Sequence, residues 1–294
     1  MSILYKKNRK FYLLLILPAL AVYALALLVP LFGGTIPYSF LKWNLMSGKK
    51  SFVGLENYIK LFSDTDFWKA FLFNLKVGVF MIVGSNIMGF VLAYFLNENI
   101  KAKGVVRAMF FIPNIVSAVL VSFIWVFIFT CAMPAIGNAL SWEGLANVSW
   151  FGTPRMATIT IIVVSIWQNI GFLMIIYTAG LQTIPKDVME SAQLDGCSGL
   201  KKILKIEIPL LMPTVTINLF VSISGTFKMF DIPNAMTGGG PYGSTMPVAM
   251  DIYQEAFTKY NLGYGSAKSV ILFLTVAAVT LTQLYITRKK EVEY

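Results

Sequence analysis

The stretch ESAQLDG at residues 190–196, followed after nine further residues by IEIP at 206–209, decides the fold of this chain. It lies in a polar, basic segment between two long apolar runs. Pro185 suits the first turn of a helix, and Gly196 can adopt the left-handed conformation that ends one. Ser198 is a suitable N-cap for a second helix. The pattern therefore predicts a helix, a glycine turn and a second helix.

Apolar runs dominate the rest of the chain, which is 57% hydrophobic and 13% charged. Runs of about 20 apolar residues can cross a bilayer, and in lipid they must be helices because every backbone group needs an internal partner. The runs do not alternate as barrel strands would. The sequence predicts an all-α membrane protein in which residues 1–294 form one domain, with a polar loop at about 181–209. The six predicted helices lie at approximately 11–34, 69–96, 107–130, 156–180, 210–230 and 267–287.

The first apolar run could also be a secretory signal peptide, because the basic segment 6–10 precedes it. However, the run over residues 11–32 is too long for the apolar region of such a peptide, and no small-residue cleavage site follows it. We therefore expect it to be retained as the first membrane helix.

The distribution of positive charge predicts the orientation, since Lys and Arg favour cytoplasmic loops. Six spans place both termini, the loop after the second helix and the 181–209 loop on one side. That side carries most of the basic residues: Lys6, Lys7, Arg9, Lys10, Lys101, Lys103, Arg107, Lys186, Lys201, Lys202, Lys205, Arg288, Lys289 and Lys290. The opposite side carries few, with a mild exception in the first loop: Lys42, Lys49, Lys50 and Lys60. Both termini are therefore predicted to be cytoplasmic.

The net charge of +10 is then an orientation signal and not a nucleic-acid-binding surface, because the basic residues lie at helix ends and not in one patch. The chain has no histidine, and its two cysteines, Cys131 and Cys197, fall on opposite sides of the predicted membrane. It has no P-loop, paired-cysteine motif or nucleophile elbow. The sequence therefore predicts no catalytic site, no metal site and no cofactor. It favours a pore subunit over an enzyme.

The spacing over residues 190–209 resembles the EAA loop of ABC importer permeases, the membrane subunits that take up solutes delivered by a binding protein. Further stretches, in the same order along nearly the whole chain, are similar to the larger, MalF-like permease of carbohydrate importers: 52–58, 67–70, 237–241, 253–257 and 262–267. The resemblance implies a carbohydrate-uptake permease with a MetI-like core. The chain lacks the large external insert of the enterobacterial maltose subunit.

The resemblance implies that the loop docks on a partner ATPase. It assigns a polar contact with the ATPase to Glu190 and the sharp turn to Gly196. The other motif positions are Ala192, Asp195, Ile206 and Pro209. Two positions depart from the motif, since Ser191 replaces an alanine and Ile208 replaces a leucine. Without the motif, a short amphipathic helix could equally lie on lipid headgroups.

The resemblance also implies partners and location. The expected assembly contains a second permease subunit in a heterodimer, two cytoplasmic ABC ATPases and an extracytoplasmic sugar-binding protein. It would lie in the bacterial plasma membrane, in contact with lipid, and would transport a sugar without binding nucleic acid. Closure of the ATPases would switch the helices between inward-open and outward-open states.

The resemblance to maltose-type permeases implies that the central sugar site includes Asn169, Phe172, Ser222 and Thr226. Neutral polar residues of this kind beside the rings of Trp167, Phe172 and Phe227 suit a hydroxyl-rich solute. For each polar residue, hydrogen bonding between helices is the alternative role.

Ionisable residues are scarce within the predicted helices. Lys76, Lys228 and Lys268 fall near helix ends, where long side chains can snorkel. Lys228 and Asp231 are spaced to pair on a helix. An anionic solute would need a cationic group in its path, so the sequence favours a neutral solute.

Three alternatives remain from the sequence. The same architecture could import glycerol phosphate, a polyamine or another small polar solute. A secondary transporter would need a coupling-ion site or an inverted repeat, and neither is evident. A membrane scaffold would not need the docking loop.

Overall fold

A computed structural model describes residues 9–97 and 101–291, with side chains from residue 14 onward. The predicted orientation residues Lys6 and Lys7 lie outside these ranges. In chain order the elements are α1 (Arg9–Pro30), α2 (Ile36–Ser39), β1 (Leu41–Trp43), β2 (Lys50–Phe52), α3 (Glu56–Phe62), α4 (Thr65–Asn97), α5 (Lys103–Ile115), α6 (Ala118–Phe127), α7 (Met133–Ala139), α8 (Glu143–Ala146), α9 (Pro154–Thr183), α10 (Lys186–Leu194), α11 (Gly199–Lys202), α12 (Ile208–Leu210), α13 (Met212–Phe227), α14 (Asp231–Thr237), α15 (Val248–Tyr253) and α16 (Leu262–Arg288). Short π-helical turns follow α1, α6, α11 and α15: Leu31–Thr35, Ile128–Ala132, Ile203–Glu207 and Gln254–Thr258.

Five helical segments of the described chain are long and apolar enough to cross a bilayer: Leu14–Ser39, Thr65–Asn97, Ala118–Ala139, Pro154–Thr183 and Leu262–Arg288. A bent pair, Gly199–Leu210 and Met212–Phe227, supplies a sixth with an angle of 76° between its parts. The predicted all-α membrane architecture is confirmed, with five spans in the described chain, or the predicted six if the bent pair is one span.

The third span differs in position from the predicted helix at 107–130. α5 ends at Ile115, two extended residues follow, and α6 begins at Ala118. Pro113 weakens the last turn of α5 because it has no backbone N–H to donate. The spanning helix then continues to Ala139. The apolar run was therefore read correctly as helical, but it contains a break.

The chain divides into two compact units, whereas the sequence predicts one domain. The first unit is Met1–Asp64 with Ile252–Phe273, and the second is Thr65–Asp251 with Leu274–Tyr294.

The first unit contains the only strands of the described residues, a small antiparallel hairpin with Leu41 opposite Phe52. The side-chain amide of Asn57 donates to the carbonyls of Ser39 and Leu41 at 2.8 and 3.0 Å. These bonds fix the end of α2 and the first strand to α3.

A buried charge cluster also lies in the first unit. Lys268 is fully buried, and its Nζ lies 3.0 Å from Asp64 Oδ2 and 3.8 Å from Glu255 Oε2. The hydroxyl of Tyr264 donates to Asp64 at 2.6 Å. The prediction that Lys268 snorkels is therefore wrong, because two carboxylates neutralise its charge inside the protein.

Glu255 is held as a carboxylate in this cluster. Burial on its own would raise its pKa. Hydrogen bonds from Lys259 at 2.9 Å and from Asn261 at 3.0 Å, together with the charge of Lys268, outweigh that effect and lower the pKa below its ordinary value.

The second unit contains two apolar cores with polar residues between them. One core includes Val77 of α4 and Ile161 of α9, and the other includes Ala93 of α4 and Leu173 of α9. Between these levels the same helices carry polar side chains: Ser85 and Asn86 on α4, and Ser165, Gln168 and Asn169 on α9. The long helices thus place a polar layer between two apolar ones.

Candidate functional site

A cavity of about 210 Å³ lies at this polar layer, within the second unit. All four residues that the sequence assigns to the solute path line it: Asn169, Phe172, Ser222 and Thr226. The rest of the lining comes from α4, α6, α9, α13, the link 228–230 and the start of α14: Met81, Ile82, Ser85, Ala118, Ser165, Leu173, Val221, Gly225, Lys228, Met229, Phe230, Asp231 and Ile232. The fold therefore gathers residues that are far apart in sequence into one wall.

Two of the four residues also take part in helix packing. The Ser222 hydroxyl donates to the Asn218 carbonyl at 2.7 Å and accepts from Asn86 Nδ2 at 3.1 Å. The Thr226 hydroxyl donates to the Ser222 carbonyl at 3.0 Å, and Thr226 is only 3% exposed. Asn86 in turn accepts from the Tyr177 hydroxyl at 2.8 Å. The network joins α4, α9 and α13, so this wall of the cavity is also a helix junction.

Asn169 and Ser165 present polar atoms that the described residues leave unbonded. Asn169 Nδ2 donates to the Ser165 carbonyl at 2.8 Å, while its Oδ1 accepts no hydrogen bond from a described residue. The buried hydroxyl of Ser165 likewise has no partner there. An unsatisfied buried polar group such as the Ser165 hydroxyl costs about 1–3 kcal/mol, whereas Asn169 is half-buried and can present its Oδ1 to the cavity. These two residues are therefore suited to a hydrogen-bonding ligand, and Ser165 was missed because nothing in the sequence marks its hydroxyl as unbonded.

Two charged residues reach the cavity as well. α13 ends at Phe227 and α14 begins at Asp231, so Lys228 and Asp231 stand at the two ends of a short link. Both are exposed and line the cavity, and no ion pair joins them among the described residues. The sequence expectation that Lys228 and Asp231 pair on a helix is wrong, because this link brings both residues to the cavity without an ion pair between them. The sequence predicted a continuous helix over 210–230 and therefore did not predict the turn that brings both side chains to the cavity.

Of the three predicted aromatic neighbours, only Phe172 lines the cavity. Trp167 packs edge-to-face on Trp125, with ring centroids 5.4 Å apart, and Phe227 is buried. Phe230 supplies a second aromatic side chain instead.

The 181–209 loop has the predicted helix, turn and helix. α10 ends at Leu194, and Gly196 follows with a φ of +71°, a conformation that strains any residue with a Cβ. The backbone N–H of Cys197 donates to the Ala192 carbonyl at 2.9 Å and closes the turn. Ser198 precedes the second helix as predicted but makes no side-chain capping bond.

The motif residues of the loop differ in exposure. Glu190, Asp195 and Gly196 are exposed, whereas Ile206 and Pro209 are half-buried and Ala192 is buried. The exposed members therefore lie around the turn, and the partly buried ones lie where the loop returns towards α13.

Large apolar side chains are exposed on the same loop. Leu194 is 89% exposed, Leu200 76% and Leu204 62%, although the loop is otherwise polar. Exposed apolar groups beside polar ones are typical of surfaces that contact another protein.

Residues 85–292 match the family described as the binding-protein-dependent transport system inner membrane component. The match includes the whole loop and most of the cavity lining. The chain belongs to this family. The permease is thus a multi-pass membrane protein that works within a binding-protein-dependent importer, as a pore component and not as an enzyme.

Two relatives and one solved structure illustrate the similarity. The permease is 35% identical over 98% of its length to a probable starch degradation products transport permease, AmyD, of Thermoanaerobacterium thermosulfurigenes, of which it covers 97%. It is 31% identical over 82% of its length to the sn-glycerol-3-phosphate permease UgpA of Agrobacterium fabrum, of which it covers 82%. A chain of a bacterial ABC transporter that imports alginate shares the fold, with a TM-score of 0.80 and 22% identity over 97% of the permease and 98% of that chain.

Proposed function

We propose that the permease forms part of the solute pathway of an importer for a sugar or oligosaccharide. The observation that carries this proposal is the cavity wall, which combines neutral hydrogen-bonding side chains with the rings of Phe172 and Phe230. Sugars present hydroxyl groups and an apolar ring face, and both find partners in such a wall. The relation to AmyD, named for starch degradation products, supports the same class of solute.

Within this proposal Asn169 and Ser222 hydrogen-bond sugar hydroxyls, Phe172 packs on the ring face, and Thr226 shapes the wall. The free Oδ1 of Asn169 supports a direct role for this residue. The hydrogen bond between Asn86 and Ser222 supports a mixed role for Ser222, in packing and in binding.

The 181–209 loop couples the permease to a cytoplasmic ATPase in this proposal. The coupling residues are Glu190, Ala192, Asp195, Gly196, Ile206 and Pro209. The exposed leucines around the turn support a surface that another molecule covers, and the resemblance of the loop to the EAA motif favours a protein partner over lipid headgroups. The full assembly would contain a second permease subunit, two ATPases and an extracytoplasmic sugar-binding protein.

A copurification and activity experiment tests the proposal. The permease would be coexpressed with its candidate permease and ATPase partners and reconstituted in vesicles with the binding protein. We expect ATP hydrolysis that rises when the binding protein carries a maltodextrin. Assembly without any response to a panel of neutral sugars would overturn the assignment of solute class.

In the proposed topology both compact units belong to one permease domain, 1–294, with both termini cytoplasmic. Cys197, in the loop, should then react with an impermeant maleimide only from the cytoplasmic face. Cys131, which is exposed, should react only from outside. Labelling of Cys197 in intact cells would overturn the orientation and the coupling role together.

An importer of glycerol phosphate is the second candidate, because Lys228 lines the cavity and could pair with a phosphate. The variant Lys228→Met separates the two functions. It should abolish uptake of an anionic solute but leave uptake of a neutral sugar largely intact.

A further inference from the structure

A second cavity, of about 360 Å³, lies between α5 and α9 in the second unit. It is separate from the polar cavity, since the two share no lining residue. We name it the α5–α9 groove, and Arg107, Phe111, Ile175 and Gln182 mark its extent.

The groove opens because the two helices touch at one level and separate beyond it. At Gly171 of α9 the backbone of α5 comes so close that a Cβ would overlap the Phe110 carbonyl. Arg107 lies before this contact on α5, and Gln182 lies after it on α9. Because the helices run in opposite directions, both residues fall on the same side of the contact, near the loops that precede α5 and follow α9.

Arg107 has no anionic partner among the described residues. Its Nη2 makes one long hydrogen bond, 3.4 Å, to the Leu96 carbonyl, and its buried Nε has no partner. A half-buried guanidinium without a carboxylate is costly unless an anion pairs with it. Lys103, one turn earlier on α5, adds a second positive charge at the same end.

The groove changes from polar to apolar along its length. Arg107 and Gln182 form the end nearest the loops, whereas Phe111 and Ile175 lie deeper, towards the contact at Gly171. Ile175 is 39% exposed and Ala179 is also exposed, so the groove is open along its side. An occupant that fits has a negative head and an apolar tail, with the tail leaving through the open side.

We propose that the α5–α9 groove binds an anionic phospholipid, with its phosphate on Arg107 and the start of an acyl chain against Phe111 and Ile175. Basic pockets between membrane helices are known to hold anionic headgroups. A soluble phosphate would fill only the polar end. The open apolar side therefore favours a lipid.

A lipid-dependent stability measurement on the purified importer tests the proposal. The probe is dioleoyl phosphatidylglycerol, with dioleoyl phosphatidylcholine as the neutral reference, and the readouts are the shift in Tm and the lipid retained in native mass spectrometry. We expect phosphatidylglycerol to raise Tm. Arg107→Gln should weaken its apparent affinity about tenfold. Arg288→Gln, which removes the same charge from the exposed end of α16, should leave the affinity unchanged. Equal affinity in wild type and Arg107→Gln would overturn the proposal.

A second variant covers the case in which Arg107→Gln does not assemble. Ala179→Leu keeps the arginine but fills the groove at an exposed position, and it should also weaken phosphatidylglycerol binding. Unchanged binding in this variant would overturn the groove as the site. A Tm shift of equal size with inorganic phosphate alone would show that the groove binds a soluble anion and not a lipid. In importer stripped of lipid by detergent, failure of a maleimide to reach Ala108→Cys would show that the partner permease covers the groove, and would also overturn the proposal.

Discussion

The central cavity and the 181–209 loop differ in where their side chains find contacts. Around the cavity, Asn86, Ser222 and Thr226 find hydrogen-bond partners within the same chain, while Ser165 and Asn169 each keep an oxygen, unbonded by the described residues, for a ligand. On the loop, Leu194 and Leu200 remain largely in solvent. The cavity wall is therefore bonded mostly within the chain, whereas the loop presents apolar side chains that only another molecule could cover.

This difference separates two kinds of mutational effect. A change in the loop should leave the folded permease intact and alter its work with partners. A change in the cavity wall should alter solute handling and helix packing together, because the same side chains do both. The following variants test this separation, from the largest expected effect to the smallest.

Gly196→Val should abolish solute-stimulated ATP hydrolysis while leaving the protein in the membrane. Valine is strained at the φ of +71°, at a cost of about 1–2 kcal/mol. Apart from the adjacent residues, no atom of the described chain lies within 4 Å of the added Cβ, so the new side chain would gain no packing contact to offset that cost. The measurement is ATPase activity of the reconstituted importer with and without loaded binding protein. Gly48→Val is the matched control, because Gly48 has a φ of +65° and equally open surroundings in the hairpin loop. Full stimulation of ATP hydrolysis in Gly196→Val would show that coupling does not need this turn.

Glu190→Lys should cause a similar loss by reversing the charge of an exposed residue beside the turn. Asp187→Lys makes the same change one turn earlier on α10, outside the motif, and should retain most of the stimulation. The ratio of stimulated to basal hydrolysis measures both. Equal losses in the two variants would point to general electrostatics of the loop and not to a specific contact by Glu190.

The double variant Asn169→Ala with Ser222→Ala should reduce sugar uptake. Each lost hydrogen bond is worth about 0.5–1.5 kcal/mol, up to roughly tenfold in affinity. Uptake of radiolabelled maltodextrin measures the effect, with basal ATPase and complex yield as checks on assembly. Ser224→Ala, on α13 but outside the cavity lining, is the control. Unchanged uptake would show that the two residues do not bind the sugar. Failure of the complex to assemble would show that their role is in helix packing.

Glu255→Gln should lower stability at neutral pH by about 1.5–3 kcal/mol, because it weakens charge-assisted hydrogen bonds in a cluster outside both regions. The pKa of Glu255 is lower in the folded state than in the unfolded chain. Its contribution is therefore fully present above the unfolded pKa and is lost as pH falls through the folded pKa. Thermal unfolding of both proteins against pH should show curves that converge in acid. A constant difference at every pH would contradict the charged state of Glu255.

Asn86→Leu should lower stability by about 1 kcal/mol, since it removes the hydrogen bonds that join α4 to α9 and α13. Its effect on uptake should be secondary to that loss. Asn234→Leu, at an exposed position of α14, is the control. A large fall in solute affinity without any fall in Tm would make Asn86 a binding residue.

The sequence predicted the loop well because its signals are local. Pro185 and Gly196 mark the ends of one short helix, and the turn needs no distant partner. The break in the third span also has a local signal, Pro113. The sequence nevertheless predicted one helix there, because the apolar run continues past the proline.

The cavity was predicted less completely because its wall is assembled from distant segments. The four residues inferred by resemblance do meet. The sequence did not reveal that Lys228 and Asp231 flank a turn, or that Ser165 lacks a hydrogen-bond partner. The burial of Lys268 could not be predicted for the same reason, since its partner Asp64 lies far away in the sequence.

The bend of 76° at Leu211 lies between the loop and α13, the helix that carries Ser222. Leu211 is only 1% exposed, so it is held in place while the helices on either side project from it. Ser222 lies about 16 Å along α13 from this point, at 1.5 Å per residue. A rotation of about 10° about Leu211 would sweep Ser222 through roughly 3 Å, about the length of one hydrogen bond. A small tilt of the exposed loop would therefore be enough to make or break a contact in the cavity wall, with Leu211 as the fulcrum.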